Sequence, residues 1–219
     1  MGYLIREEPH VKIKKLWGKK TQRTVSVVEI LPSDAQFEKL KELVPVRKNL
    51  RGSITEGDGE LIGALGEIVV ADYFKLPMVN DGENWNPNYD LIHPEMGLVD
   101  VKSKRQNVLS LGLHYANTVW DASKDRQKCD YYCFTRIRLL EAEEAANDFK
   151  NCVVWILGVH TKKEYFKKAS LIRKGEVDPS NSFKVKDDCW NLPISQLEPL
   201  NLSQAVFSPR KPSESLLEF

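Results

Sequence analysis

The chain has 219 residues, 42% of them hydrophobic, enough to bury one core with additions around it. Its 32 basic and 31 acidic residues leave a net charge of +1, which excludes a protein that coats nucleic acid through bulk charge. No stretch approaches the ~18 apolar residues of a membrane span, and Met1 to Glu8 has no apolar signal core, so the expectation is a cytoplasmic chain that does not engage a membrane. Cys129, Cys133, Cys152 and Cys189 form no C-x-x-C pair. Three of them sit inside apolar runs, a pattern of buried free thiols rather than of a zinc site.

In chain order, Lys12 to Lys20 carries five lysines around Leu16-Trp17-Gly18, and Thr24 to Ile30 follows as a strand. Ser33-Asp34 caps a short helix through Leu43, ended by Pro45. Residues 1–50 thus read as an N-terminal extension, 51–200 as the core and 201–219 as a tail. Glu60 to Lys75 is a helix with apolar residues on most sides, hence largely buried. It carries one acid on that apolar body, Glu67, with Gly63 and Gly66 leaving room for close approach of another backbone. A polar, turn-rich stretch at 77–88 leads to a hairpin through Asp90, turned at Pro94 to Gly97, with Asp100 and Lys102 on its second strand. Val108 to Leu113 reads as a third strand and Trp120 to Lys128 as a short helix. Cys129 to Ile137 is a strand, Glu141 to Asp148 an exposed acidic helix or loop, and Cys152 to Val159 a strand covered on both faces. Lys162 to Ile172 has the pattern of an amphipathic helix, Ser195 to Glu198 that of a capped turn, and 208–219 that of a loosely ordered tail.

The hairpin holds the chemistry. Strand residues alternate between faces, so Asp100 and Lys102 share one face while Val99 and Val101 fill the other. Asp90, ten residues before Asp100, lies on the partner strand. Carboxylates gathered on a sheet are costly to bury unless something binds them, and a divalent cation is the obvious candidate.

The order helix (Glu67), strand (Asp90), strand (Asp100, Lys102) resembles the core of the PD-(D/E)XK nuclease superfamily. Asp100-Val101-Lys102 matches its D/E-x-K element, Asp90 the Asp of its first element, and Gly66-Glu67 its helix glutamate. Tyr89 stands where the signature has proline, a position often replaced among members. The resemblance spans roughly 57–159. It implies an α/β, restriction-endonuclease-like fold: a central mixed sheet flanked by helices (αβββαβ) with N- and C-terminal additions. It also implies a Mg²⁺-dependent DNA hydrolase, with Mn²⁺ as substitute, acting as an endonuclease. Glu67, Asp90 and Asp100, with the Val101 carbonyl, would hold the metal, and Lys102 would hold or deprotonate the attacking water or stabilise the transition state. Lys104, Arg105 and Gln106, placed just past the strand, are candidates for phosphate contact. A homodimer is a further expectation of the family.

Two alternatives stand beside this reading. The trio could be an ion pair on a solvent-facing sheet edge. The chain could also be a catalytically inactive nucleic-acid-binding or assembly subunit that keeps the fold. RNA as substrate finds no aromatic recognition motif. His93, His114 and His160 show no mutual pattern, Asp130 and Arg136 bracket a strand without a decided role, and glycine-loop, serine-elbow and zinc-protease motifs are missing.

Overall fold

The computed structural model describes residues 8–18, 22–47, 58–80, 86–108, 110–139 and 152–200. The acidic segment expected at 141–148 and the tail at 201–219 lie outside them. The protein is an α/β fold built on a six-stranded mixed sheet. Its strands are β1 (His10–Gly18), β2 (Arg23–Leu31), β3 (Leu91–His93), β4 (Gly97–Arg105), β6 (Tyr131–Leu139) and β7 (Cys152–Thr161), in the order β1-β2-β7-β6-β4-β3. The β4–β6 pair is parallel and the others are antiparallel. A smaller sheet of β5 (Ala116–Trp120), β9 (Cys189–Pro193) and β8 (Ser170–Ile172) forms a second layer.

Two helices cover one face of the main sheet: α1 (Asp34–Arg47) and α2 (Asp58–Phe74). In α2, Leu65, Ile68, Val69, Val70 and Ala71 are fully buried against Val99, Val101, Cys133 and Ile137, so the helix is held by apolar burial on several sides. At ~1.5–3 kcal/mol for each large side chain, this contact is a main source of stability. Gly66 sets how close the helix comes. A Cβ there would overlap Ser103 Oγ and stand 2.9 Å from Thr135 Oγ1. Gly63 has open space instead, so only one of the two glycines serves close approach, and it meets side chains rather than backbone.

The opposite face carries the second core, in which Tyr132 and Phe134 pack against Tyr165 of α4 (Lys162–Lys168). The Tyr165 hydroxyl donates to the Asn117 and Trp190 carbonyls, tying α4 to β5 and β9.

Several elements differ from the sequence expectation. The basic run at Lys12 is a strand whose partner β2 joins β7 through Val28–Ile156, so β1 and β2 extend the main sheet. Helix α1 continues past Pro45, near its end where one lost backbone bond costs little. In the stretch expected as a strand at 108–113, the described residues 108 and 110–113 form none. The Gln106 amide donates to the Val108 and Ser110 carbonyls and occupies acceptors a ladder would use. The third strand instead falls at β5, so α2, β3, β4, β5, the short helix at Ser123–Arg126 and β6 keep the αβββαβ order along the chain, but β5 leaves the main sheet for the smaller one. The expected helix to Ile172 stops at Lys168, because Ala169 turns extended and residues 170–172 pair with β9. The helix after Trp120 shrinks to one turn, α3 (Ser123–Arg126).

Candidate active site

Four described elements deliver the charged residues to one end of the β3–β4 hairpin. The hairpin closes where His93 Nδ1 accepts from the Glu95 and Met96 backbone N–H groups and Gly97 takes φ +73°. His93 is therefore a turn residue, its ring against Phe74. Asp130 is also architectural, accepting from the Leu98 N–H at 2.9 Å. His160 is buried on β7 beside Lys168 and Glu198.

Asp90 precedes β3 by one residue, and its backbone N–H still donates to the Val99 carbonyl. Its side chain then does what a longer β3 would do: Oδ2 accepts the Val101 N–H at 2.7 Å. The carboxylate therefore lies at the sheet's edge. Glu67 comes from α2 on one face, and Asp100 points to the other, in register with Tyr132. Both reach Asp90 electrostatically. Burial raises the Asp90 carboxyl well above its usual range, Glu67 and Asp100 push the same way, and the Val101 N–H and Lys102 only partly offset them.

Asp100 is buried, and burial raises its carboxyl, opposed by Lys102 and Lys162. Lys102 Nζ stands 2.5 Å from Asp100 Oδ2. Burial lowers the Lys102 pKa, but Asp100 beside it, with Asp90, more than offsets this and raises it above the ordinary value. The expectation of an exposed ion pair as the alternative is not met, since the Asp100 side chain is only 6% accessible and Lys102 22%.

Asn80, Gln127 and Lys162 complete the surroundings, and sequence reasoning passed over all three. Asn80 Nδ2 donates to Asp90 Oδ1 at 2.9 Å, while Gln127 Nε2 donates to Asp100 Oδ1 at 2.6 Å. The Lys162 ammonium donates to the Gln127 carbonyl. No spacing rule links a lone amide after a short helix to an acid 27 residues earlier.

The donor set fits a hard divalent cation in chemistry. Asp100 Oδ2 is buried and, beyond the ammonium contact, takes no directed hydrogen bond. Within a strand, the N–H and C=O of one residue point to the same side, so the Val101 carbonyl faces the Asp90 edge as its N–H does. Among the described residues, no three Asp, Glu, His or Cys side chains stand close enough together to hold a metal ion between them. The reason is the layering: Glu67 and Asp100 approach the sheet edge from opposite faces, with Asp90 between them.

The expected phosphate contacts separate. Lys104 and Arg105 lie within β4 rather than past it, and by alternation only Lys104 shares the face of Asp100 and Lys102. Gln106 is buried and committed to the loop it folds. All four cysteines are buried free thiols, and burial pushes Cys129 and Cys133 up to about 12, far from a reactive thiolate. No family model matches the chain, and neither the curated proteins nor the solved structures return a match to it.

Proposed function

We propose that the protein is a Mg²⁺-dependent nuclease of the restriction-endonuclease-like class that cleaves DNA at the Asp90–Asp100–Lys102 edge, as an endonuclease. The observation that carries this reading is Asp90, a buried carboxylate whose charged form is opposed by burial, by Glu67 and by Asp100 together. A fold that sets two acids within electrostatic reach of a buried third gains from a cation there. The α2-β3-β4 order, with Lys102 two residues after Asp100, supports the family assignment.

Asp90, Asp100 and the Val101 carbonyl would hold the ion directly, with Glu67 acting through water, since Mg²⁺ keeps several waters. A bound Mg²⁺ supplies Lewis acidity toward a phosphate oxygen and makes a bound water more acidic. Lys102, charged and anchored by Asp100 at 2.5 Å, donates to the phosphate oxygen on which charge builds. Gln127 fixes Asp100 through Oδ1 and leaves Oδ2 toward the reacting side. Asn80 holds Asp90 in the same way.

The second reading, an inactive binding or assembly subunit, draws on the engagement of both Asp100 oxygens by Lys102 and Gln127. A titration of Mg²⁺ or Mn²⁺ with supercoiled plasmid and with a single-stranded substrate separates the two. Wild-type protein should cleave only with metal, and Asp100→Ala and Lys102→Ala should lose at least about 10²–10³-fold in rate with unchanged circular dichroism. Lack of cleavage with either metal, or full activity in either variant, would sink the nuclease reading.

A further inference from the structure

A cavity of about 1000 Å³ opens beyond the end of β4, between the main sheet, β5 and the 178–186 loop. Its floor carries Lys104 and Arg136, ladder neighbours on the parallel β4 and β6 strands. Like charges at paired positions of a sheet repel, and here Arg136 is buried and Lys104 half-buried. Arg136 is 5% exposed. Its guanidinium donates to the Ala116 carbonyl at 2.5 Å and to Gln106 Oε1 at 3.5 Å, while Nε is buried with no hydrogen-bond partner. Lys104 Nζ reaches a neutral acceptor, Thr118 Oγ1, at 3.1 Å. The acid in the wall, Asp178, spends its oxygens on the Ser180 N–H and Asn191 Nδ2, at 2.8 and 3.0 Å. Burial, and then Arg136, lower Lys104 to about 8; burial lowers Arg136 to about 10. Two cations are thus held together, and among the described residues no carboxylate is hydrogen-bonded to either.

The walls add a second kind of chemistry. Tyr115 lies under the Arg136 guanidinium, 5.8 Å from its ring centre, and Phe183 stands exposed at the rim. Aromatic faces beside a paired cation are what a base and its phosphate require. Same-face residues of a strand are ~6.7 Å apart, so Lys104 continues the line of Asp100 and Lys102 toward the cavity.

We propose that this cavity receives one nucleotide of a DNA strand, extruded from its neighbours, with its phosphate on Lys104 and Arg136 and its base between Tyr115 and Phe183. The placement next to the scissile phosphate rests on the nuclease reading; the binding itself does not. A volume of this size accommodates a nucleotide, and extrusion is the route by which a strand presents one to a pocket.

Binding is measured without divalent metal, by tryptophan fluorescence (Trp120 lines the cavity) and calorimetry, on the full chain. The probes are a short single-stranded deoxyoligonucleotide, deoxyadenosine 5′-monophosphate and inorganic phosphate. Lys104→Met and Phe183→Ala should each weaken oligonucleotide binding about fivefold to tenfold, with Lys104→Arg retaining it. Lys104→Met should also reduce the salt slope by about one. The mononucleotide should compete with the oligonucleotide, and phosphate alone should bind more weakly. Unchanged oligonucleotide affinity in both variants would overturn the proposal. So would mononucleotide binding that the oligonucleotide does not displace, which would mark a site for free nucleotides. If metal-dependent cleavage fails while binding responds to these variants, the pocket stands and the nuclease reading falls. If cleavage occurs while binding ignores them, the reverse holds.

Discussion

Two buried acidic centres in this protein are built on opposite terms. Glu29 on β2 is 7% exposed and fully matched: Lys12 at 2.6 Å and Lys14 at 3.0 Å approach from β1, and Trp155 Nε1 donates at 2.7 Å from β7. Burial pushes its pKa up, but the Lys12, Trp155 and Lys14 hydrogen bonds win and hold it at about 2. Asp90, also withdrawn from water, is raised instead: burial is the largest cause, Glu67 and Asp100 push the same way, and the Val101 N–H and Lys102 do not overcome them. A matched carboxylate stabilises the fold that buries it. An unmatched one makes the fold pay for a readiness to bind, the usual signature of function held against stability.

The largest contrast is in activity. Glu29→Gln should cleave within about twofold of wild type per folded molecule, whereas Asp100→Ala and Lys102→Ala lose the ~10²–10³-fold expected of transition-state groups. A comparable activity loss in Glu29→Gln at full folding would erase the distinction. Stability comes next. Glu29→Gln should cost ~1–3 kcal/mol at pH 7 by denaturant titration. Because the folded pKa of Glu29 is depressed to about 2, its contribution is present above the ordinary range near 4.5 and fades as pH falls toward 2. The difference between variant and wild type should therefore shrink below pH 4.5. A smaller effect tests how α2 carries Glu67 to the sheet. Gly66→Ala should destabilise by ~1–3 kcal/mol through overpacking on Ser103. Adding Ser103→Ala should recover part of that loss, and no recovery would mean that the contact is not what limits the approach.

Much of this site was legible in the sequence because its signals are local. Asp100 and Lys102 are two apart in a valine-rich strand, Asp90 lies across a Pro94–Gly97 turn, and Glu67 is conspicuous on an apolar helix. The layers around them were not legible. The strand expected at Val108 failed because an apolar run followed by a glycine looks alike whether a ladder or a buried glutamine satisfies its backbone. Gln127 and Asn80 act through contacts that no periodicity announces. The pairing of Lys104 with Arg136 depends on a parallel register that the sequence leaves open until β5 is known to leave the sheet. Glu29 read as part of an ordinary strand because its partners come from β1 and β7.

The opposite pKa shifts of the two centres make one measurement decisive: thermal unfolding of wild type, Asp90→Asn and Glu29→Gln at neutral pH across a Mg²⁺ titration. Both Asp90 oxygens accept hydrogen bonds, from Asn80 and from the Val101 N–H, so an amide in its place sets an NH₂ against one of these donors and costs stability, while removing the charge a cation would use. Without metal, Asp90→Asn and Glu29→Gln should both melt below wild type, by about 2–4 °C for each ~1 kcal/mol lost in a domain of this size. Mg²⁺ should then raise the melting temperature of wild type and Glu29→Gln, by ~1.4 kcal/mol at ten times the dissociation constant, and leave Asp90→Asn nearly unmoved. A wild type indifferent to Mg²⁺, or an Asp90→Asn that Mg²⁺ stabilises as much as wild type, would show Asp90 to be a structural acid and contradict the site.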